Sequence, residues 1–276
     1  MKTAFHDMSL RVRLALAFLF GLVALALFIP LWKADPNRFS THASGQPQPP
    51  SWHHPLGTDE WGRGLWIRSI YGARVSLSVG VMSVSIALTV GVLLGMVAGL
   101  SPSWLDGLIM RMVDVLMAVP TLFLILIVQV VLTPSIWNVM AVIGLTSWMG
   151  VCRLVRAEVL SVRERPFIQA ARARGFTEWR IAFRHILPHT LTPVFVAATL
   201  GVGHAILVES VLSFLGLGVQ PPYASWGNML ENSLTYLFDA PWMTVVPGFF
   251  ITMTVLSLHF VGDFLQARLQ PWSTHA

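Results

Sequence analysis

The stretch that decides the fold occupies residues 161–188 and reads SVRERPFIQAARARGFTEWRIAFRHILP. It is a strongly basic, polar island in an otherwise apolar chain. Pro166 suits the first position of a helix, where a missing N–H costs nothing. Gly175 suits the left-handed residue that ends a helix, and Thr177 can cap the next one. The stretch therefore predicts two short helices, with Pro188 ending the second.

The first of these two helices is predicted to carry a small face flanked by charge. That face comprises Phe167, Ala170, Ala171 and Arg174, which recur at helical spacing. A small face of this kind can press into a groove of another protein. The apolar stripe predicted for the second helix comprises Trp179, Phe183, Ile186 and Leu187. The alternative is a basic amphipathic segment that lies on anionic lipid.

The composition places the chain in a membrane. Of its 276 residues, 55% are hydrophobic and only 11% are charged, whereas soluble chains average about 25% charged residues. These values predict an integral membrane protein with one helical membrane domain. The sequence pI near 10.1 does not indicate nucleic-acid binding, because the arginines lie beside apolar spans. With a single cysteine, Cys152, the chain can form no intrachain disulfide.

Six apolar runs are long enough to cross a bilayer as helices. They are predicted at residues 14–31, 75–100, 108–132, 136–155, 191–212 and 242–265. The first is long for a signal peptide and no small-x-small cleavage pattern follows it, so we interpret it as a retained span. Residues 1–73 would then hold an N-terminal tail, this span and an extracytoplasmic loop, and residues 74–270 a five-helix core.

A few residues within the predicted spans are unusual for a bilayer. The small face predicted for close helix packing comprises Gly80, Gly91, Gly95 and Gly99. Arg111 and Asp114 lie three residues apart and can pair, and Pro120 can kink the third span. His204 and Glu209 in the fifth span are expected to face protein or a water-filled path.

The loop before the second span carries residues of interest for binding. An amphipathic helix is predicted here, held at the membrane interface by Trp61, Leu65 and Trp66. A metal-site interpretation would use His42, His53 and His54, but no carboxylate or cysteine lies at ligand spacing. The chain also lacks a Gly-x-x-x-x-Gly-Lys-[Ser/Thr] loop and a nucleophile with its base. We therefore predict no catalytic residue, no metal and no directly bound cofactor.

Three motifs resemble the ABC importer permeases. The motif that resembles their cytoplasmic coupling loop comprises Gln169, Ala170, Ala171, Gly175, Ile186 and Pro188. The family usually has Glu where this chain has Gln169. Residues 54–64 resemble a signature of the dipeptide, oligopeptide and nickel permeases, although Gly64 replaces its usual Asp. Residues 213–222 with 226–230 resemble the same subfamily.

The resemblance implies an all-α, six-helix type I (MetI-like) importer permease fold with a cytoplasmic coupling helix. It implies a heterodimer with a second homologous permease, in contact with membrane lipid. It also implies two cytoplasmic ATP-binding subunits, which would hold and hydrolyse the ATP, and an extracytoplasmic substrate-binding protein. The implied substrates are dipeptides or oligopeptides, with nickel or a metal chelate as the alternative. The chain itself would be a transport subunit and not an enzyme.

The residues expected at the translocation path or gate are Glu209, His204, Phe214, Gly216 and Gly218. Two interpretations of Glu209 are open: it lines the path, or it pins the turn at residues 213–222 by accepting backbone N–H bonds. We favour the second. An ion-coupled secondary carrier would instead use a relay of Glu209, His204, Asp114 and His259, but no internal repeat supports it. An intramembrane enzyme is a further alternative.

The distribution of basic residues predicts the orientation in a bacterial inner membrane. With a cytoplasmic N-terminus, thirteen of the 18 Lys and Arg residues lie on the cytoplasmic side. The other five are Lys33, Arg38, Arg63, Arg68 and Arg74, all in one long loop. The positive-inside rule therefore predicts a multi-pass protein with both termini cytoplasmic.

Overall fold

The protein is mostly α-helical in the part of the chain that its computed structural model describes, residues 9–29, 35–37 and 46–269. The α-helices are α1 (Leu10–Phe28), α2 (Leu65–Leu100), α3 (Ser103–Ala118), α4 (Thr121–Val131), α5 (Ile136–Arg163), α6 (Pro166–Ala173), α7 (Glu178–Ile181), α8 (Leu187–Phe214), α9 (Trp226–Leu230) and α10 (Trp242–Leu269). A π-helical segment (Ala182–Ile186) joins α7 to α8. Lys2, Lys33, Arg38 and His42 lie outside the described residues.

The number of membrane spans agrees with the sequence prediction. Among the described residues, five helical segments are long and apolar enough to cross a bilayer, or six if α3 and α4 form one broken span. These two helices meet at Pro120 with an angle of 82°. Pro120 lacks an N–H and pushes Val119 into extended backbone, so an α-helix cannot continue through this point. The predicted kink is confirmed as a complete break.

The second span begins earlier than predicted. α2 starts at Leu65, and it runs without interruption across residue 73, where we placed a division of the chain. That division stays a prediction. Leu65 is buried in the core, whereas Trp61 and Trp66 are exposed. The interfacial role predicted for Leu65 is therefore wrong, because this side chain belongs to the same inward face of α2 as Ala73.

The glycine face of α2 is confirmed, but it serves two neighbours. A Cβ on Gly91, Gly95 or Gly99 would lie within 2.7 Å of atoms of α5, so these positions allow the two backbones to approach closely. A Cβ on Gly80 would instead meet Val202 and Ile206 of α8. Helix α2 is thus clamped between α5 and α8 and forms the centre of the bundle.

Ion pairs tie α3 to α5 near one end of the bundle. Arg156 holds the Asp106 carboxylate with two hydrogen bonds, Nε to Oδ1 at 2.5 Å and Nη2 to Oδ2 at 2.7 Å. Asp114 pairs with Arg153 of α5. The predicted pair of Asp114 with Arg111 is therefore wrong. Arg153 on the neighbouring helix reaches the Asp114 carboxylate through a single contact, from Nη2 to Oδ1.

The prediction that Pro188 ends a helix is also wrong. Helix α7 passes through the π segment directly into α8, whose first turn contains Pro188. An α-helix would need the missing N–H of proline for a bond to the carbonyl four residues earlier, and a wide π turn accommodates that loss. Residues Glu178–Phe214 therefore form one continuous helical segment.

Candidate functional site

The candidate coupling helix α6 has the ends that the sequence predicts. Pro166 occupies its first turn. Gly175 has a φ of +77°, and its N–H bonds the Arg172 carbonyl at 2.9 Å. The Phe176 N–H bonds the Ala171 carbonyl at 3.2 Å, which completes the two-bond motif that closes many helices. The chain therefore reverses sharply after one short helix.

The outward face of α6 differs from the predicted one. Ile168 and Ala171 are buried against the end of α5 and the π segment, whereas Phe167, Ala170 and Arg174 are exposed. The prediction that Ala171 faces a partner protein is wrong. Ile168 is fully buried in this cluster, and Ala171, three positions later on the same face of the helix, follows it into the interior. The pairing of Ile168 with Ala171 is visible in the sequence and was missed.

Side-chain contacts order the turn after α6, and one of them reaches the π segment. Thr177 Oγ1 accepts the Arg180 N–H at 3.4 Å, which confirms the predicted cap. Arg172 bridges the turn to Glu178, with Nε to Oε1 at 3.1 Å. The rings of Phe176 and His185 stack at 6.1 Å between centroids. The stack thus connects the turn after α6 to the π segment that leads into α8.

Gln169 of α6 makes a contact that a glutamate at the same position could not make. The Gln169 amide donates a hydrogen bond to the Glu164 carbonyl oxygen at 3.2 Å. A carboxylate only accepts hydrogen bonds, so it cannot make this contact.

The apolar residues of the second helical segment do not share one side. Trp179 and Phe183 stack with 5.4 Å between ring centroids and are exposed, while Ile186 is buried. The predicted single apolar stripe is therefore wrong, since its members point to different sides.

A groove of about 310 Å³ runs between α2, α5 and α8. Small or polar side chains form much of its wall, namely Ser83, Ala87, Ser147, Gly150, Gly201 and His204. His204 is exposed to this groove, whereas Glu209, five residues further along α8, is fully buried. Residues five apart on an α-helix lie on different faces. The structure thus separates two residues that the sequence placed together on one path.

Glu209 lies at the centre of a buried polar cluster. Its carboxylate accepts hydrogen bonds from Ser213 Oγ at 2.7 Å and from Ser76 Oγ at 3.1 Å. Ser213 Oγ in turn accepts the Val219 N–H at 2.9 Å, and Ser76 Oγ accepts the Trp226 N–H at 3.3 Å. Glu209 therefore reaches the backbone of the following turn through two hydroxyl groups and not directly. The spacing of four residues between Glu209 and Ser213 was a signal that the sequence offered, whereas nothing in the sequence connects Ser76 to either.

The turn after α8 depends on its glycines. Gly216 has a φ of +73° and ends α8. A Cβ on Gly218 would lie 2.1 Å from Ser213 Oγ, and one on Gly227 would lie 2.6 Å from the Cα of Ser210. Only glycine fits these close approaches. Phe214, the last residue of α8, is half-buried, and its predicted place at a gate stays a prediction.

The described residues do not form the ion relay or the metal site considered as alternatives. Of the four relay residues, Glu209 is buried, Asp114 pairs with Arg153, and His204 and His259 are exposed. Within the described part of the chain, no hydrogen bond joins any two of these four. No group of three or more His, Cys, Asp or Glu side chains among the described residues is placed to hold a metal ion. His42 lies outside them.

Residues 91–275 match the family described as the inner membrane component of binding-protein-dependent transport systems. The chain belongs to this family. Such permeases lie in the membrane with several spans and work with substrate-binding and ATP-hydrolysing components, which confirms the class inferred from the motifs.

Individual relatives of this permease extend over most of its length. The dipeptide transport system permease protein DppC of Alkalihalophilus pseudofirmus is 42% identical over 90% of this chain and 82% of its own. The di/tripeptide transport system permease protein DppC of Pseudomonas aeruginosa is 39% identical over 93% of this chain and 86% of its own.

Solved structures support the same fold. A chain of the MetNI methionine ABC transporter superposes with a TM-score of 0.59 and 17% identity, over 75% of this permease and 96% of that chain. A chain of an amino acid ABC transporter gives a TM-score of 0.52 at 18% identity, over 70% and 90%. At this identity the likeness concerns the fold alone. The predicted all-α importer permease fold is confirmed.

Proposed function

We propose that this permease is one of two different membrane subunits of an ATP-driven importer for dipeptides or short oligopeptides. The observation that carries the proposal is its identity of 42% and 39% to permeases named for dipeptide and di/tripeptide transport, over more than four fifths of both chains. Two cytoplasmic ATP-binding subunits would power the complex, and an extracytoplasmic binding protein would deliver the peptide.

Energy would enter the permease through α6. The side chains of Phe167, Ala170 and Arg174 present a surface that is partly apolar and partly basic. The Arg172–Glu178 bridge and the Phe176–His185 stack connect this surface to the start of α8. A displacement of α6 by an ATPase would therefore act on the same helix that carries His204.

The groove between α2, α5 and α8 would form this subunit's part of the translocation path. Its glycine and alanine residues leave room for a main chain, and the second permease would close the open side. The orientation predicted from the basic residues would place α6 in the cytoplasm, in the bacterial inner membrane, and the turn at Gly216 outside.

Uptake by the whole transporter tests the proposed function. Cells that lack the gene should fail to accumulate a labelled dipeptide, and the wild-type gene should restore accumulation. Ala170→Asp, which places a charge on the exposed face of α6, should not restore it. Accumulation of nickel in place of the dipeptide, with the cognate binding protein binding nickel, would contradict the peptide assignment.

A further inference from the structure

The groove contains one titratable side chain in the described part of the chain. This side chain is His204, close to the middle of α8. An ionisable group at that depth is costly unless it has a polar partner or water. The walls around it carry aliphatic and small side chains on all three helices. The position of His204 therefore needs an explanation that packing does not provide.

Other polar groups of the groove are already occupied by the protein. Ser83 Oγ donates to the Met140 carbonyl at 3.1 Å, and Ser147 Oγ donates to the Ile143 carbonyl at 2.7 Å. Neither hydroxyl has a proton left for a ligand, since each carries only one. The His204 ring makes no hydrogen bond to any other described residue. His204 is thus the side chain in the groove with an N–H donor that no other described residue uses.

The groove also has space beside His204 for a main chain. A Cβ added to Gly150 would meet no atom within 4 Å, whereas one added to Gly201 would press on Val84 Cγ2 at 3.2 Å. Both glycines line the groove. The groove of about 310 Å³, which Gly150 and His204 both line, therefore leaves room for a peptide backbone near the imidazole.

We propose that His204 donates a hydrogen bond to the terminal carboxylate of the peptide during its passage, an inference that rests on the proposed peptide import. Every dipeptide carries this carboxylate whatever its side chains are. A carboxylate leaving water needs a donor, and an imidazole provides one in either protonation state. One side chain would therefore serve every dipeptide, whatever its side chains.

Three variants test this role in the reconstituted transporter with its binding protein saturated by one dipeptide. His204→Ala and His204→Leu remove the donor and should reduce the uptake rate roughly tenfold, as expected for losing a hydrogen bond to a charged group. His204→Gln keeps a donor and should retain uptake within about twofold of wild type. His259→Leu, at an exposed histidine of α10, is the matched control and should leave uptake unchanged.

Two further measurements keep the outcomes distinct. The thermal stability of the complex and the amount of second permease that copurifies should be the same in all variants. If His204→Leu loses the second permease in proportion to uptake, the histidine serves the subunit interface and the proposal is overturned. Equal loss of uptake in the Gln and Leu variants, or no loss in either, would also overturn it. Failure of the wild type to import any peptide would instead refute the proposed function.

Discussion

Ser213 lies one helical turn after Glu209 and donates a hydrogen bond of 2.7 Å to its carboxylate, while accepting the N–H of Val219 from the following turn. The hydroxyl group thereby links the buried carboxylate to the backbone of the turn. Because Ser76 repeats this arrangement toward Trp226, one carboxylate holds both sides of the turn.

Replacement of Glu209 should reveal whether its charge or its shape matters. Glu209→Ala leaves two buried hydroxyl donors without an acceptor and should lower the stability of the complex in detergent by roughly 1–3 kcal/mol. Glu209→Gln keeps an acceptor and should import peptide at a nearly normal rate. Thermal unfolding and uptake measure the two effects, and exposed Glu231→Ala is the control, expected within about 0.5 kcal/mol of wild type. An inactive but fully stable Glu209→Gln protein would show that the charge itself is functional.

A methyl group at Gly218 should be poorly tolerated. The added Cβ would lie 2.1 Å from Ser213 Oγ and 2.5 Å from the Ser213 backbone, so the turn would have to move. We expect Gly218→Ala to destabilise the protein by roughly 1–3 kcal/mol, a typical cost of overpacking. Gly107→Ala in α3 is the matched control, because its Cβ would meet nothing within 4 Å. That control should be neutral or up to about 1 kcal/mol more stable. Similar stability losses in both variants would contradict the packing argument.

Neighbouring alanines of α6 should respond differently to the same substitution. Ala170 is exposed and Ala171 is buried beside Ile168. Ala170→Asp should abolish ATP hydrolysis stimulated by the loaded binding protein at unchanged thermal stability. Ala171→Asp should lower stability as well, because it buries a charge. Normal stimulation in Ala170→Asp would exclude the exposed face of α6 as the contact with the ATPase.

Cysteine labelling should establish the orientation in the membrane. Arg172→Cys should react only with a reagent that enters the cytoplasm, and Tyr223→Cys should react from outside. Tyr223 is 58% exposed, whereas Ala224, the adjacent residue in the same turn, is only 3% exposed and unsuited to labelling. Cys152 is buried, so the wild-type chain provides a low background. The reverse labelling pattern would overturn the predicted topology.

Local signals in the sequence predicted the ends of α6 and the packing of α2. Pro166, Gly175 and Thr177 act through backbone geometry and capping, which depend on near neighbours only. The glycines of α2 were recognisable for a similar reason, since their spacing alone defines a face. The identity of the facing helix was not recognisable, because it depends on how the bundle assembles.

Contacts between distant segments could not be predicted. The partner of Asp114 is Arg153, which lies on another helix, and the sequence favours the nearer Arg111. The cluster around Glu209 joins Ser76 to Ser213 across the bundle, although no periodicity connects them. The sequence could have predicted the separation of His204 from Glu209, because side chains five residues apart on an α-helix lie on different faces.

The π segment has a consequence for how this chain tolerates changes in length. Ile181 and Ile186 are both fully buried although they are five residues apart. An α-helix would turn them about 140° away from each other at 3.6 residues per turn, whereas a π turn bonds residues five apart and brings them to one side. Loss of one residue within 182–185 would bring the two isoleucines to α-helical spacing, four residues apart, although the N–H that Pro188 lacks would then be missing from an α-helical turn. Loss of one residue within α8 would instead rotate everything that follows, so the π segment is where this helical stretch can lose one residue and still keep Ile181 and Ile186 on one side.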